Sequence, residues 1–420
     1  MGRQSLISPL PPGRRRLLGL GAAAGLIIPA GAVAIAAGKW GESQGFPTGW
    51  GPAGQQQRWE GYTEYHVGNF SGGIEKMFAH ATLSAGPASA PAPAKRRASG
   101  SFAHNASYYL RKFDRMGLLV VRDDEILFEE YGFARQPAMR FFGWSMTKSI
   151  VGLLTGIAVG RGLIASIDDP LEKYIPRLRG HVFADLKLRN LLNMTSGIDI
   201  CEAYCTPNNG FERYGYSQIG YSPKRGQGTD LIEGVLQFRW GRNEQQGMRF
   251  NYTDLCPVLV AWVLEETTKL PLATFAERAL WQPMGARSDA TWLVDAKGFT
   301  FSGAGVSATL HDWARLGSLI AANGVIGGRQ IVPGEWIAES ARHTDKDKAS
   351  RFDVARPRRG YRNFIWHKAA DGRVLRFAGN HAQNVLIDQK TRTVLVQSAP
   401  GYVNGADEEM LNIFDAACGL

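Results

Sequence analysis

The stretch "FFGWSMTKSIVGLLTGIAVGRG", Phe141 to Gly162, sets Ser145, Thr147, Lys148 and Ser149 at the mouth of an apolar helix. A Ser-x-x-Lys spacing puts both side chains on one helical face, one turn apart, where hydroxyl and amine can share a hydrogen bond. In an apolar site desolvation lowers a lysine's pKa, which would let Lys148 take a proton from Ser145. A serine at a helix N-terminus also gains a dipole that favours a developing oxyanion. The spacing alone is weak, since about one chance match is expected in a chain of this composition. Its alternative is an N-cap followed by a lysine that snorkels to solvent. Against that stands the run Ile150, Val151, Leu153, Leu154 and Ile157, because a lysine heading a core helix needs a partner or a task.

Outward from this helix the pattern is legible. "MGLLVVRDDEILFEEYGF" before it reads as two strands with a turn at Arg122 to Glu125. After it come a short amphipathic helix in "LKLRNLLNMTSGI", ended by Gly197, and a glycine- and tyrosine-rich loop from Asn208 to Thr229. "DLCPVLVAWVLEETT" is a second apolar helix, and "TLHDWARLGSLIAANG" a third with one apolar face. "RNFIWHKAADGRVLRFAG" and "QNVLIDQKTRTVLVQSA" predict antiparallel strands with turns at Asp371-Gly372 and Gln389 to Arg392. Strands at both ends and helices between them predict an α+β fold. One antiparallel sheet would be flanked by helices, with a helical subdomain inserted.

The chain has 420 residues, 44% of them hydrophobic, which is ordinary globular composition. Its net charge of +10 invites a nucleic-acid reading, but the basic residues are scattered, with short runs at Arg14 to Arg16, Lys95 to Arg97 and Arg356 to Arg362. No helix carries a basic stripe, which argues against nucleic acid as a partner. Arg14 to Arg16 followed by the uncharged run Leu17 to Gly38 predicts an export segment in residues 1–45, either a signal or a membrane anchor facing outward. Residues 46–107 form an extension containing the Pro/Ala-rich linker "SAGPASAPAPAKRRASGS", and the main domain is expected from 108 to 420. Cys201 and Cys205 lie in a loop where a disulfide is open, whereas Cys256 reads as a small core residue. There is no Cys-x-x-Cys pair and no His-Glu-x-x-His, and the eight histidines are dispersed, so no metal or organic cofactor is expected.

"GWSMT" begins like the Gly-x-Ser-x-Gly elbow of α/β-hydrolases, but Thr147 occupies the second glycine position and no βαβ alternation surrounds it. The order of "SMTKS" on an apolar helix, then "LRNLLNMTSGI", then "FNYTD" before another apolar helix, resembles the serine β-lactamase-related family instead. That group includes class C β-lactamases, D-alanyl-D-alanine carboxypeptidases, family VIII esterases and 6-aminohexanoate-dimer hydrolases. The segment from Phe301 to Ile337 also matches the family's usual course, and the resemblance spans roughly Tyr108 to Ser398. It implies a serine hydrolase with Ser145 as acyl-accepting nucleophile, Lys148 as proton acceptor and Tyr252 as relay to the leaving group. Asp254 stands where the family's Tyr-x-Asn element has asparagine. It either caps the following helix or holds Lys148 or Tyr252.

The third family element, Lys-Thr-Gly on a sheet-edge strand, differs most. One register sets Phe377-Ala378-Gly379 in its place, so that the amides of Ser145 and Asn380 form the oxyanion hole. The other sets His381-Ala382-Gln383 there. Either way the lysine–threonine pair that grips a substrate carboxylate is missing, which favours an esterase or amide hydrolase over a D,D-peptidase or weak β-lactamase, with a non-catalytic envelope-anchored binding protein of the same fold as the remaining alternative. Trp144, Asp254, Phe377, Gly379 and His381 are the expected substrate-binding residues, with Phe141 as a further pocket aromatic and His381 on a strand edge. Tyr214, Tyr216 and Tyr221 are rival phenols. Arg356, Arg358, Arg359 and Arg362 are expected in a solvated loop.

Overall fold

The computed structural model describes residues 79–87, 94–95, 100–133, 135–200, 230–237, 241–242, 244–342, 360–368 and 371–419. The export segment with its apolar run from 17 to 38 lies outside these residues. So do Cys201 and Cys205, the rival tyrosines, and Arg356, Arg358 and Arg359. No helix among the described residues is long and apolar enough to cross a membrane.

The main sheet has seven strands, all antiparallel, in the order β3-β2-β13-β12-β11-β10-β9. The N-terminal hairpin supplies β2 (Gly117–Arg122) and β3 (Glu125–Tyr131). The C-terminal part supplies β9 (Tyr361–Arg362), β10 (Ile365–His367), β11 (Val374–Gly379), β12 (Gln383–Asp388) and β13 (Thr393–Ser398). The two ends of the chain meet where β2 pairs with β13, Gly117 opposite Ser398. That is the architecture the sequence pattern predicts.

The five longest helices among the described residues organise the rest: α1 (Gly100–Lys112), α2 (Met146–Gly160), α3 (Leu255–Thr268), α4 (Leu310–Ala321) and α5 (Ala406–Gly419). Strand alternation sorts the sheet's side chains between two cores. Leu118, Val120, Leu386 and Leu395 meet Tyr109 of α1 and Met410 and Phe414 of α5. Leu119, Val121, Val385, Ile387, Val394 and Val396 face the other way, into the larger core with Leu316 and Ile320 of α4. Burial on both faces explains why β12 and β13 read as near-continuous apolar runs. Helix α2 is buried at every position from Met146 to Ala158, so its N-terminal residues have a fixed address in the middle of the protein.

Two features depart from expectation. A second sheet, β1 (His80–Leu83), β5 (Ala290–Leu293), β6 (Val306–Ala308) and β4 (Phe141–Phe142), was not foreseen, because strands of two to four residues are too short to show alternation. Packed elements also reach N-terminal of the boundary expected at Tyr108, since β1 pairs with β5 and α1 begins at Gly100. Cys256 is buried in α3, as expected of a core residue.

Candidate active site

Strand β4 delivers the chain to Gly143, Trp144 turns it with a left-handed φ of 51°, and Ser145 caps α2. One turn on, the Lys148 ammonium lies 2.9 Å from Ser145 Oγ, 2.6 Å from the Gly303 carbonyl oxygen and 2.6 Å from Asp254 Oδ1. A lysine has three N–H donors, and these three acceptors share them with the neighbouring Tyr252 phenol oxygen. Asp254 therefore belongs to Lys148. It starts α3 without capping it through its side chain, and its buried carboxylate reaches across to α2. The expectation that it contacts substrate is corrected accordingly.

The lysine's expected acidity is corrected too. Burial on its own would push Lys148 down, but the Asp254 carboxylate and the neighbouring Tyr252 outweigh it and raise the pKa above the ordinary lysine value. The Asp254 carboxylate thus favours the ammonium form of Lys148. Tyr252 lies beside it, with the ammonium 4.9 Å from the ring centroid, and its phenol is hydrogen-bonded to both Ser145 and Lys148. Since Ser145 Oγ accepts from Lys148, its own O–H is left to donate to the phenol oxygen. Burial raises the Tyr252 pKa, Lys148 opposes that shift, and Asp254 adds to it, leaving it above the usual phenol value.

The third element resolves into a hairpin turn. β11 ends at Gly379, Asn380–Ala382 turn the chain, and β12 returns antiparallel with Gly379 opposite Gln383. His381 and Ala382 take left-handed φ values of 56° and 65°, so His381 is on a turn and not on a strand edge. Side-chain amides hold that turn. Gln383 donates to the His381 carbonyl, and Asn384 and Gln397 donate to the Ala382 carbonyl. The register that set His381-Ala382-Gln383 on the strand is thereby excluded. Phe377-Ala378-Gly379 occupies the strand end, where it runs past the β10 ladder, which pairs only with Leu375 and Arg376. A Cβ on Gly379 would stand 2.1 Å from the Gly143 carbonyl oxygen and 3.1 Å from Trp144 Cβ. This close approach brings the chain at Asn380 up to the nucleophile's turn.

Several expected pocket residues lie beneath the site. Phe377, Phe141 and Trp144 are all buried, and Trp144 packs against Phe142 at 5.0 Å and His381 at 5.1 Å between ring centroids. They shape the floor and do not offer an open apolar pocket. Arg362 is buried in β9 and paired with Glu339 at 2.8 Å, which removes it from the expected solvated loop. Among the described residues no group of three or more His, Cys, Asp or Glu side chains is arranged to hold a metal ion.

The β-lactamase family model matches residues 109–416, most of the chain. The chain belongs to that family. It is a serine hydrolase of the β-lactamase fold, with antiparallel sheets packed against helices. The 6-aminohexanoate-dimer hydrolase of Paenarthrobacter ureafaciens is 29% identical over 283 residues, covering 66% of this chain and 71% of the relative. A Bacillus anthracis structure provisionally named as a 6-aminohexanoate-dimer hydrolase superposes with a TM-score of 0.72 at 19% identity, over 86% of this chain and 94% of that one. A penicillin-binding protein from Bacillus halodurans shares the fold at a TM-score of 0.58 and 17% identity, over 74% and 99% of the two chains.

Within this β-lactamase-family hydrolase, sequence reasoning missed two contributors. Gly303 gives Lys148 a backbone carbonyl, and a Cβ there would lie 2.6 Å from Asp254 Cγ, so only glycine leaves room for the ion pair. A main-chain acceptor has no side-chain signature, and the glycines of "FSGAG" were the only hint. The aromatic group around Tyr252 was missed as well. Trp366 stacks on it at 5.5 Å, and Tyr361 and the nearby Phe250 pack edge-on to Trp366, Tyr361 and Trp366 lying on strands distant in sequence from Tyr252.

Proposed function

We propose that this serine hydrolase cleaves short linear amides and esters through an acyl-enzyme on Ser145. The carrying observation is the contact of Ser145 Oγ with a lysine whose remaining donors are committed to Asp254 and Gly303. Ser145 Oγ attacks the carbonyl carbon while its proton passes to the Tyr252 phenolate. Lys148 stabilises that phenolate as a fixed ammonium. The amides of Ser145 and Asn380 receive the carbonyl oxygen, the first of them among the donors that a helix start leaves outside its own ladder. Tyr252 then returns the proton to the leaving nitrogen or oxygen, and takes another from the water that releases the acid. The substrate class follows from β11, where Phe377-Ala378-Gly379 offers no lysine–threonine pair for a carboxylate next to the scissile bond. Linear amides of the 6-aminohexanoate kind, named for the relatives above, lack that requirement.

The test incubates the protein with a nitrophenyl ester, a 6-aminohexanoate dimer, a chromogenic cephalosporin and a D-Ala-D-Ala peptide, and examines the Ser145 peptide by mass spectrometry. Acyl adducts are expected from the ester and the dimer, absent in Ser145→Ala, with neither cephalosporin nor peptide turned over. Turnover of the dimer by Ser145→Ala would refute the mechanism.

The pH dependence carries its own prediction. With the phenol raised by burial, the ionised fraction of Tyr252 is small near neutrality, so kcat/KM is expected to climb with pH through the neutral and mildly alkaline range. Asp254→Asn removes a negative charge beside both Tyr252 and Lys148, so the proton leaves the pair more easily. The acid limb should move to lower pH, while the limiting rate falls on the order of tenfold as Lys148 loses a charged partner. An unmoved limb would show that Asp254 does not act on this pair.

A further inference from the structure

We infer that Tyr402 is a substrate-binding residue of the Ser145 site, forming a wall for an aliphatic or ammonium-bearing acyl group. The inference rests on the serine hydrolase reading above and deepens it. Tyr402 lies in the loop between β13 and α5 and is 62% exposed, one of four large hydrophobic side chains so exposed among the described residues. Tyr402 is fastened to the hairpin turn at Asn380–Ala382. Its hydroxyl donates to Asn380 Oδ1 at 3.1 Å, an oxygen that also accepts from the His381 backbone amide at 2.9 Å.

Its ring stacks on His381 at 6.2 Å with 29° between planes, and His381 packs on Trp144, the residue before the nucleophile. A ladder of three rings thus runs from solvent down to Trp144, whose backbone leads directly into Ser145. The backbone beneath it is anchored too, because the buried Arg115 donates to the Gly401 carbonyl and Gln383 donates to that of Ala399. The ring thus has His381 on one side, a fixed backbone beneath it and solvent on the other side, a face open to a ligand.

The charges around the ladder select that ligand. Burial pushes the His381 imidazole down to about 4, so it is neutral at physiological pH. The Lys148 ammonium is spent on its buried acceptors, and Arg376, a cation beside Tyr402 among the described residues, is tied to Asp407 and Asn384. A substrate carboxylate meets no free cation among these groups. Methylene chains and ammonium groups are the partners that aromatic faces accept.

The test uses the full chain and three nitrophenyl esters of one length, with hexanoyl, 6-aminohexanoyl and monoadipoyl acyl groups. The wild type should prefer the first two to the third by at least about tenfold in kcat/KM. Tyr402→Ala should raise KM for those two about tenfold with a much smaller change in kcat, whereas Tyr402→Phe, which loses the hydroxyl's tie but keeps the ring and its stacking on His381, should raise KM by clearly less than Ala. Three results would overturn the proposal: preference for the monoadipoyl ester, an unchanged KM in Tyr402→Ala, or a Phe variant as impaired as Ala, which would assign the effect to the phenol's hold on the turn. Absence of any Ser145 adduct in the wild type would instead indict the hydrolase reading.

Discussion

Lys148→Ala is expected to lower kcat/KM by about a thousandfold or more and to unfold well below the wild type. Activity goes because the ammonium both orients Ser145 Oγ and stabilises the Tyr252 phenolate. Stability goes for a separate reason. Lys148 and Asp254 are buried at 2.6 Å from each other, and removing one partner strands the other's charge, a loss of about 3–5 kcal/mol. The two effects separate in the double variant Lys148→Ala/Asp254→Ala, which should recover much of the melting temperature and none of the turnover. The pair's contribution has a defined pH range. Folding raises Lys148 above the ordinary lysine value of 10.5, so its stabilisation is complete below that value and fades only as pH climbs past it. Denaturant melts at pH 7 and pH 9 should therefore show the same difference between wild type and Lys148→Ala. A variant that melts with the wild type and still turns over ester would remove Lys148 from the centre.

The main sheet was legible because its short apolar runs are bounded by turn residues, and α2 because a polar cluster opens a fully apolar helix. What the pattern could not show is which polar group answers which. Asp254 reads equally well as a helix cap, and only the crossing of α2 and α3 reveals that it faces Lys148. The acidity of Lys148 came out reversed for that reason: a local reading sees desolvation, and the opposing charge arrives from a residue 106 positions away. His381 was misplaced because "RFAGNHAQNVLID" has the composition of one strand. The break comes from left-handed φ values at two non-glycine residues, His381 and Ala382, imposed by side-chain amides of Gln383, Asn384 and Gln397. Phe377 failed as a pocket residue because alternation on β11 turns it into the core, where it is fully buried.

Gly379→Ala should cost on the order of a hundredfold in turnover although it adds one methyl group to a strand. The backbone there is ordinary extended chain, φ −119° and ψ 156°, so no conformational penalty is involved. The methyl would instead stand 2.1 Å from the Gly143 carbonyl oxygen and 3.0 Å from Gln383 Cβ. Neither neighbour yields cheaply. Gly143 is fixed by its amide's bond to the Val306 carbonyl, and the Gln383 side chain is spent on the His381 and Ala399 carbonyls. The end of β11 must therefore move away from the turn that carries Ser145, taking the Asn380 amide with it. A displacement of about 1 Å between an oxyanion donor and its nucleophile is enough for a hundredfold loss. Gly100→Ala, at a helix start with nothing within 4 Å of the new Cβ, serves as the matched control and should leave both rate and melting temperature unchanged. The informative measurement is the rate of Ser145 acylation in a single turnover. It should fall with Gly379→Ala while circular dichroism and the melting transition still report a folded protein, destabilised by about 1–3 kcal/mol. An acylation rate equal to that of the wild type would mean that the strand end and the nucleophile are not coupled, and the Asn380 amide would lose its place in the oxyanion hole.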